Sequence, residues 1–135
     1  MPSDDLSRKF IRAAGQRFIA VELLLREGLN FEAVYLAGYV IECSIKAVIL
    51  RNTLARDRAY LVGTHFKGRR GHSFEVLKEL LLDRGIRVPS PLSQELHRTA
   101  WSTDLRYEVG RFDASEAISF VSNARQILEW ARKMS

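Results

Sequence analysis

At 135 residues, 47% of them hydrophobic, the chain suffices for one domain with its own core and is too short for two. No uncharged apolar run approaches the roughly 18 residues of a membrane span, and the opening MPSDDLSRKF lacks the apolar centre of a signal peptide, so a cytoplasmic protein without membrane contact is expected. The single cysteine, Cys43, excludes an internal disulfide, the three histidines are too scattered for a zinc site, and a net charge of +5 favours acidic partners such as nucleic acid; no cofactor or metal is implied.

The first helix is predicted over residues 4–27, with Ser3 as N-cap, acids in its first turn and Gly28 as its stop. Phe10, Ala14, Phe18, Val21 and Leu25 form its buried stripe. A short break then leads to Asn30, a good N-cap, and forces the second helix back along the first.

That second helix, predicted over residues 30–55, is the centre of the chain. Val34, Ala37, Gly38, Ile41, Ile45 and Val48 make one continuous apolar face, and Tyr35, Tyr39, Glu42, Lys46 and Ile49 follow the same period on another. Glu42 and Lys46 are four apart with the acid first, the favourable order for an ion pair along a helix. If buried, each needs a partner, so the helix carries a polar notch at its midpoint, the first candidate site. Tyr35, Tyr39 and Ile49 lie off the main stripe and would form an exposed patch in a monomer, which argues for a homodimer. Cys43, inside the apolar helix, reads as inert packing.

Residues 56–71 read as a loop. Between Arg56 and His72, Arg56, Arg58, Lys67, Arg69 and Arg70 face only Asp57, an excess of four positive charges out of five in the whole chain. Such a loop is either a solvated one or one that contacts phosphates through Lys67, Arg69 and Arg70. A third helix from 72 or 73 to 84 turns Phe74, Leu77, Leu80 and Leu81 inward and closes at Gly85; IRVPSP is extended. A fourth begins with Ser90 as N-cap and Pro91 at its first position, and runs toward Trp101 and Leu105. The last has the clearest start, Asp113 followed three residues on by Glu116, and a stripe of Ala117, Phe120, Ala124, Ile127, Leu128 and Ala131. No segment alternates as a strand. The fold predicted is an all-α, up-and-down four-helix bundle with one extra short helix, a single domain over residues 1–135. Trp101 and Trp130 read as core.

The run EAVYLAGYVIECSIKAVIL, then GHSFEVL, then WSTDLRYE before a last long helix, resembles the HEPN domain, over residues 10–131. Its most specific part is Glu42, Cys43, Lys46 and Ala47 in that spacing. The resemblance implies a dimerising four-helix bundle that works in a nucleotide or RNA context, often encoded with a nucleotidyltransferase partner in toxin–antitoxin or defence systems. Many such proteins are metal-independent ribonucleases, with four to six residues between an Arg and the His that follows it near the start of the last long helix. Here neither Arg106 nor Arg111 has a histidine after it; Arg58 with His65 alone has that spacing, and it lies after the second helix.

Metal-independent RNA cleavage needs a base, an acid and a cation. His72 is the candidate for acid or base and Arg106 for the cation, with Arg58 and His65 a weaker catalytic pair. Tyr39, Glu42, Lys46 and Tyr107 are candidate ligand-binding residues, the tyrosines to hold a phosphate or stack on a base. A purely structural alternative uses the same groups: Arg106 pairs with Glu42, Lys46 completes the network and His72 caps the third helix. The sequence therefore points to a dimeric partner protein in a nucleotide or RNA context; the alternatives are an active ribonuclease and a non-catalytic interaction module.

Overall fold

The computed structural model describes residues 5–67, 72–89 and 112–134. Among them are five helices and no strand: α1 Asp5–Arg26, α2 Asn30–Arg51, α3 Ala55–Thr64, α4 Phe74–Leu82 and α5 Ala114–Met134. The predicted helix after Pro91 lies outside the described residues, as do Ser3, Arg69, Arg70, Trp101, Arg106 and Tyr107. The all-helical prediction holds.

α2 is the core. Every residue from Val40 to Leu50 is buried, including Ile41, Ile45, Ile49 and Leu50 at 0% exposure. α1 and α5 cover it from two sides and α4 from a third. The predicted stripes supply the contacts: Ala14, Phe18 and Val21 from α1, Leu77 and Leu81 from α4, Phe120, Ala124, Ile127 and Ala131 from α5. Trp130 packs half-buried against them. By length and hydropathy α2 could cross a membrane, but 83% of its apolar window is buried inside the protein, which accounts for that composition without a bilayer.

Two turns follow directly from glycines. Gly28 has φ 77°, and the amides of Leu29 and Gly28 bond back to the Leu24 and Leu25 carbonyls at 2.9 and 3.1 Å, which ends α1 and returns the chain as α2. Gly85, with φ 73°, ends α4 in the same way, Ile86 N–H reaching the Leu81 carbonyl at 3.0 Å. The last helix starts as predicted. The Asp113 carboxylate accepts from Glu116 N–H at 2.8 Å, and Glu116 Oε1 accepts from Asp113 N–H at 3.3 Å, a reciprocal cap.

Four local expectations are corrected. Asn30 is the first residue of α2 rather than its cap; its amide instead donates to the Phe112 carbonyl at 3.4 Å, fastening the start of α5 to the start of α2. α2 stops at Arg51 because Asn52 and Thr53 turn their side chains onto the Val48 and Ile49 carbonyls at 2.9 and 2.6 Å, competing with the helix for acceptors. The segment expected as loop then forms α3, held to the core chiefly by buried Leu61 and by Phe66 just past its end. Ile49 belongs to the core, so the expected exposed patch reduces to the half-buried Tyr35 and Tyr39.

Candidate functional site

Glu42 and Lys46 stand one turn apart on α2, and both are 4% exposed. Lys46 Nζ lies 2.9 Å from Glu42 Oε2, and the ammonium is roofed by two rings, Phe66 with its centroid at 5.1 Å and Phe10 at 5.9 Å. Those rings meet edge to face at 6.0 Å and come from α1 and the end of α3, so three segments close over the lysine. Removing two ions from water costs several kcal/mol each, and the pair persists there because each charge has a matched partner and the cation an aromatic lining.

The second oxygen of Glu42 faces His72. Nδ1 of the imidazole is 2.7 Å from Glu42 Oε1, and the side chain is 36% exposed where Glu42's is 5%. A carboxylate already holding an ammonium is an acceptor, so Nδ1 carries the proton and donates it, which leaves Nε2 as the other polar atom of the ring. Ser73, next to His72, is the N-cap of α4, its hydroxyl accepting from Val76 N–H at 3.3 Å. The structural alternative that made His72 the cap is thereby corrected; the cap fixes the backbone at His72 and leaves its ring to Glu42. Tyr39 abuts the ring edge to face at 6.1 Å, and its hydroxyl pairs with that of Tyr35 at 3.2 Å. Glu42, Lys46, His72 and Tyr39 thus form one cluster, with charge buried at its base and an imidazole at its rim.

The other predicted pair is not part of it. Arg58 Nε donates to the Leu50 and Thr53 carbonyls at 3.0 and 3.1 Å, closing the end of α2, while His65 leans edge to face on Tyr60 at 6.4 Å and touches the Thr64 hydroxyl at 3.0 Å. Lys67 is exposed just beyond α3. Among the described residues no three of His, Cys, Asp and Glu gather as metal ligands. Cys43 is buried, and burial first and the Glu42 charge second push its thiol up to about 11. At neutral pH it is a packed thiol, as the sequence suggested.

Sequence reasoning did not anticipate the Phe10 and Phe66 roof over Lys46. Phe10 falls on the apolar stripe of α1 and reads only as core, and Phe66 falls in a segment whose composition reads as loop. A basic residue in the middle of an apolar helix was the available signal that aromatic cover was needed.

A sequence profile of the HEPN domain matches residues 7–134. The chain belongs to the HEPN domain family. This HEPN domain is a helical domain of nucleotide- or RNA-related type, and the matched span includes every residue of the cluster. Neither a curated protein nor a solved structure matches the chain.

Proposed function

We propose that this HEPN domain binds a nucleotide or RNA phosphate at the rim of the Glu42 cluster, as a dimer and as the partner of a nucleotidyltransferase, without cleaving the bound strand itself. The observation that carries the binding reading is the His72–Glu42 contact, in which a buried carboxylate fixes a partly exposed imidazole. With Nδ1–H given to Glu42, the imidazolium form of His72 donates its Nε2–H to a phosphate oxygen from one defined position, at no further cost in side-chain ordering. Tyr39 beside it offers a ring edge for a base or ribose.

The dimer and the nucleotidyltransferase partner rest on family membership, together with the half-buried tyrosine pair on α2. Sedimentation at micromolar concentration tests the first, and co-purification with the product of a neighbouring nucleotidyltransferase gene tests the second.

One observation favours the ribonuclease reading: an imidazole oriented by a carboxylate is the arrangement of a general base. In that case His72 would take the proton of a 2′-hydroxyl. The charged phosphorus centre would still need a cation: Lys46, 4% exposed, is taken by Glu42, and Arg106, the cation candidate, lies outside the described residues. Binding needs only the contact at His72 and is the reading preferred. Incubating the protein with mixed RNA in EDTA separates the two, since cleavage lost on His72→Ala would replace the binding reading with the catalytic one.

A further inference from the structure

One face of α3 is unusual in what it leaves bare. Arg56, Tyr60 and Gly63 follow at helical spacing on the same side, all exposed, and Lys67 stands just beyond the helix end. Tyr60 is 68% exposed, and the Arg56 side chain is 81% exposed with only a loose 4.0 Å contact to neighbouring Asp57. Gly63 has no structural need to be glycine: its backbone is ordinary helix, and a Cβ there would meet nothing within 4 Å. Glycine inside a helix weakens it, so the fold carries a cost at this position that packing does not explain. What Gly63 provides is a stretch of helix without a side chain, three residues on from Tyr60 along the same face.

The ring itself is oriented. His65 meets it edge to face at 6.4 Å, and the Thr64 hydroxyl donates to the Tyr60 carbonyl at 2.7 Å while contacting His65 Nδ1 at 3.0 Å. An aromatic ring braced from one side, open on the other and flanked by cations has the chemistry of a platform for an unpaired base, with the adjacent phosphates falling to Arg56 and Lys67. Charge points the same way: in residues 51–67, Arg51, Arg56, Arg58 and Lys67 stand against Asp57 alone, which matches a polyanion. Phe66, directly after His65, packs over Lys46, so the platform is joined through one residue to the roof of the Glu42 cluster.

We propose that α3 is a single-stranded RNA platform, on which one base stacks against Tyr60 over Gly63 while Arg56 and Lys67 hold its flanking phosphates. The proposal rests on the nucleotide or RNA reading of this domain and adds the strandedness and the stacking residue. A duplex keeps its bases stacked on each other and offers none to Tyr60.

The test is fluorescence anisotropy with a labelled single-stranded RNA and the duplex of the same sequence, on the full chain and on Tyr60→Ala, Tyr60→Phe, Gly63→Leu and His72→Ala, each with its melting temperature measured. Tyr60→Ala is expected to weaken single-strand binding about 5- to 100-fold while Tyr60→Phe retains it. Gly63→Leu is expected to weaken binding although leucine favours the helix, and duplex binding should not respond to Tyr60→Ala. Wild-type affinity in Tyr60→Ala, or an equal loss with single strand and duplex, would overturn the platform. Loss in His72→Ala alone would overturn it too and leave the rim site standing. Failure of the wild type to bind any RNA would overturn both.

Discussion

His72 Nδ1 lies 2.7 Å from Glu42 Oε1 across thirty residues of chain, and the same carboxylate holds Lys46 at 2.9 Å through its other oxygen. One buried acid thus links the middle of α2 to the start of α4. The two contacts do different work. Lys46 compensates the buried charge and is sealed by Phe10 and Phe66, whereas His72 carries the cluster to the surface.

Removing the acid should therefore cost more than removing the imidazole. Glu42→Ala strands a 4% exposed ammonium and is expected to destabilise by about 3–5 kcal/mol, a fall in melting temperature of about 10–20 °C. Adding Lys46→Met should recover most of that loss, because the remaining site is then apolar and roofed by rings. Thermal denaturation of the single and double variants reads both.

Arg58 is expected to behave as a structural residue. Arg58→Ala leaves the Leu50 and Thr53 carbonyls without its guanidinium and should cost about 1–3 kcal/mol, with RNA binding unchanged well below the melting transition. Unaltered stability with lost binding would return Arg58 to the functional set.

The cap of α5 gives an acid-side prediction. Hydrogen bonds from Glu116 N–H first and the Ser115 hydroxyl next hold the Asp113 carboxyl below its usual range. A carboxylate with a lowered pKa in the folded state stabilises at pH above the unfolded value near 3.8 and loses that contribution as pH falls through the folded value. Asp113→Ala should lower the melting temperature by a few degrees at pH 7, and that difference should shrink as pH falls below 3.8, as thermal scans across that range would record.

Cys43 gives the alkaline counterpart. Its thiol, raised from 9.0 to about 11, is protonated when folded over a window in which the unfolded thiol ionises, so its contribution is intact below pH 9 and lost as pH rises toward 11. At pH 8 a thiol reagent should label the native protein far more slowly than the denatured one, and Cys43→Ala should flatten the alkaline loss of stability.

How much of this was legible depended on what each residue's neighbours in sequence could signal. α1, α4 and α5 carry wide apolar stripes with glycine or acid punctuation, and their course follows from periodicity alone. α3 carries a single buried residue, Leu61, too little for a periodic signal against three glycines and a charge cluster nearby. The stop at Arg51 was hidden because Asn52 and Thr53 end the helix through side-chain bonds to its own carbonyls rather than through Gly or Pro. At the site, the i to i+4 spacing of Glu42 and Lys46 revealed their pairing. The contact with His72, far along the chain, could only be suspected from leftover polar residues, and the aromatic roof was hidden among residues that read as core and loop.

Single-stranded RNA binding by wild type and His72→Ala in EDTA, with melting curves alongside, tests whether the imidazole held by Glu42 contacts a nucleotide or RNA phosphate. His72→Ala keeps the buried Glu42–Lys46 pair, so it should melt within about 5 °C of wild type yet bind at least about tenfold more weakly, with no cleavage by either. Equal binding by the two proteins would contradict the account and reduce the cluster to a network that holds the bundle together.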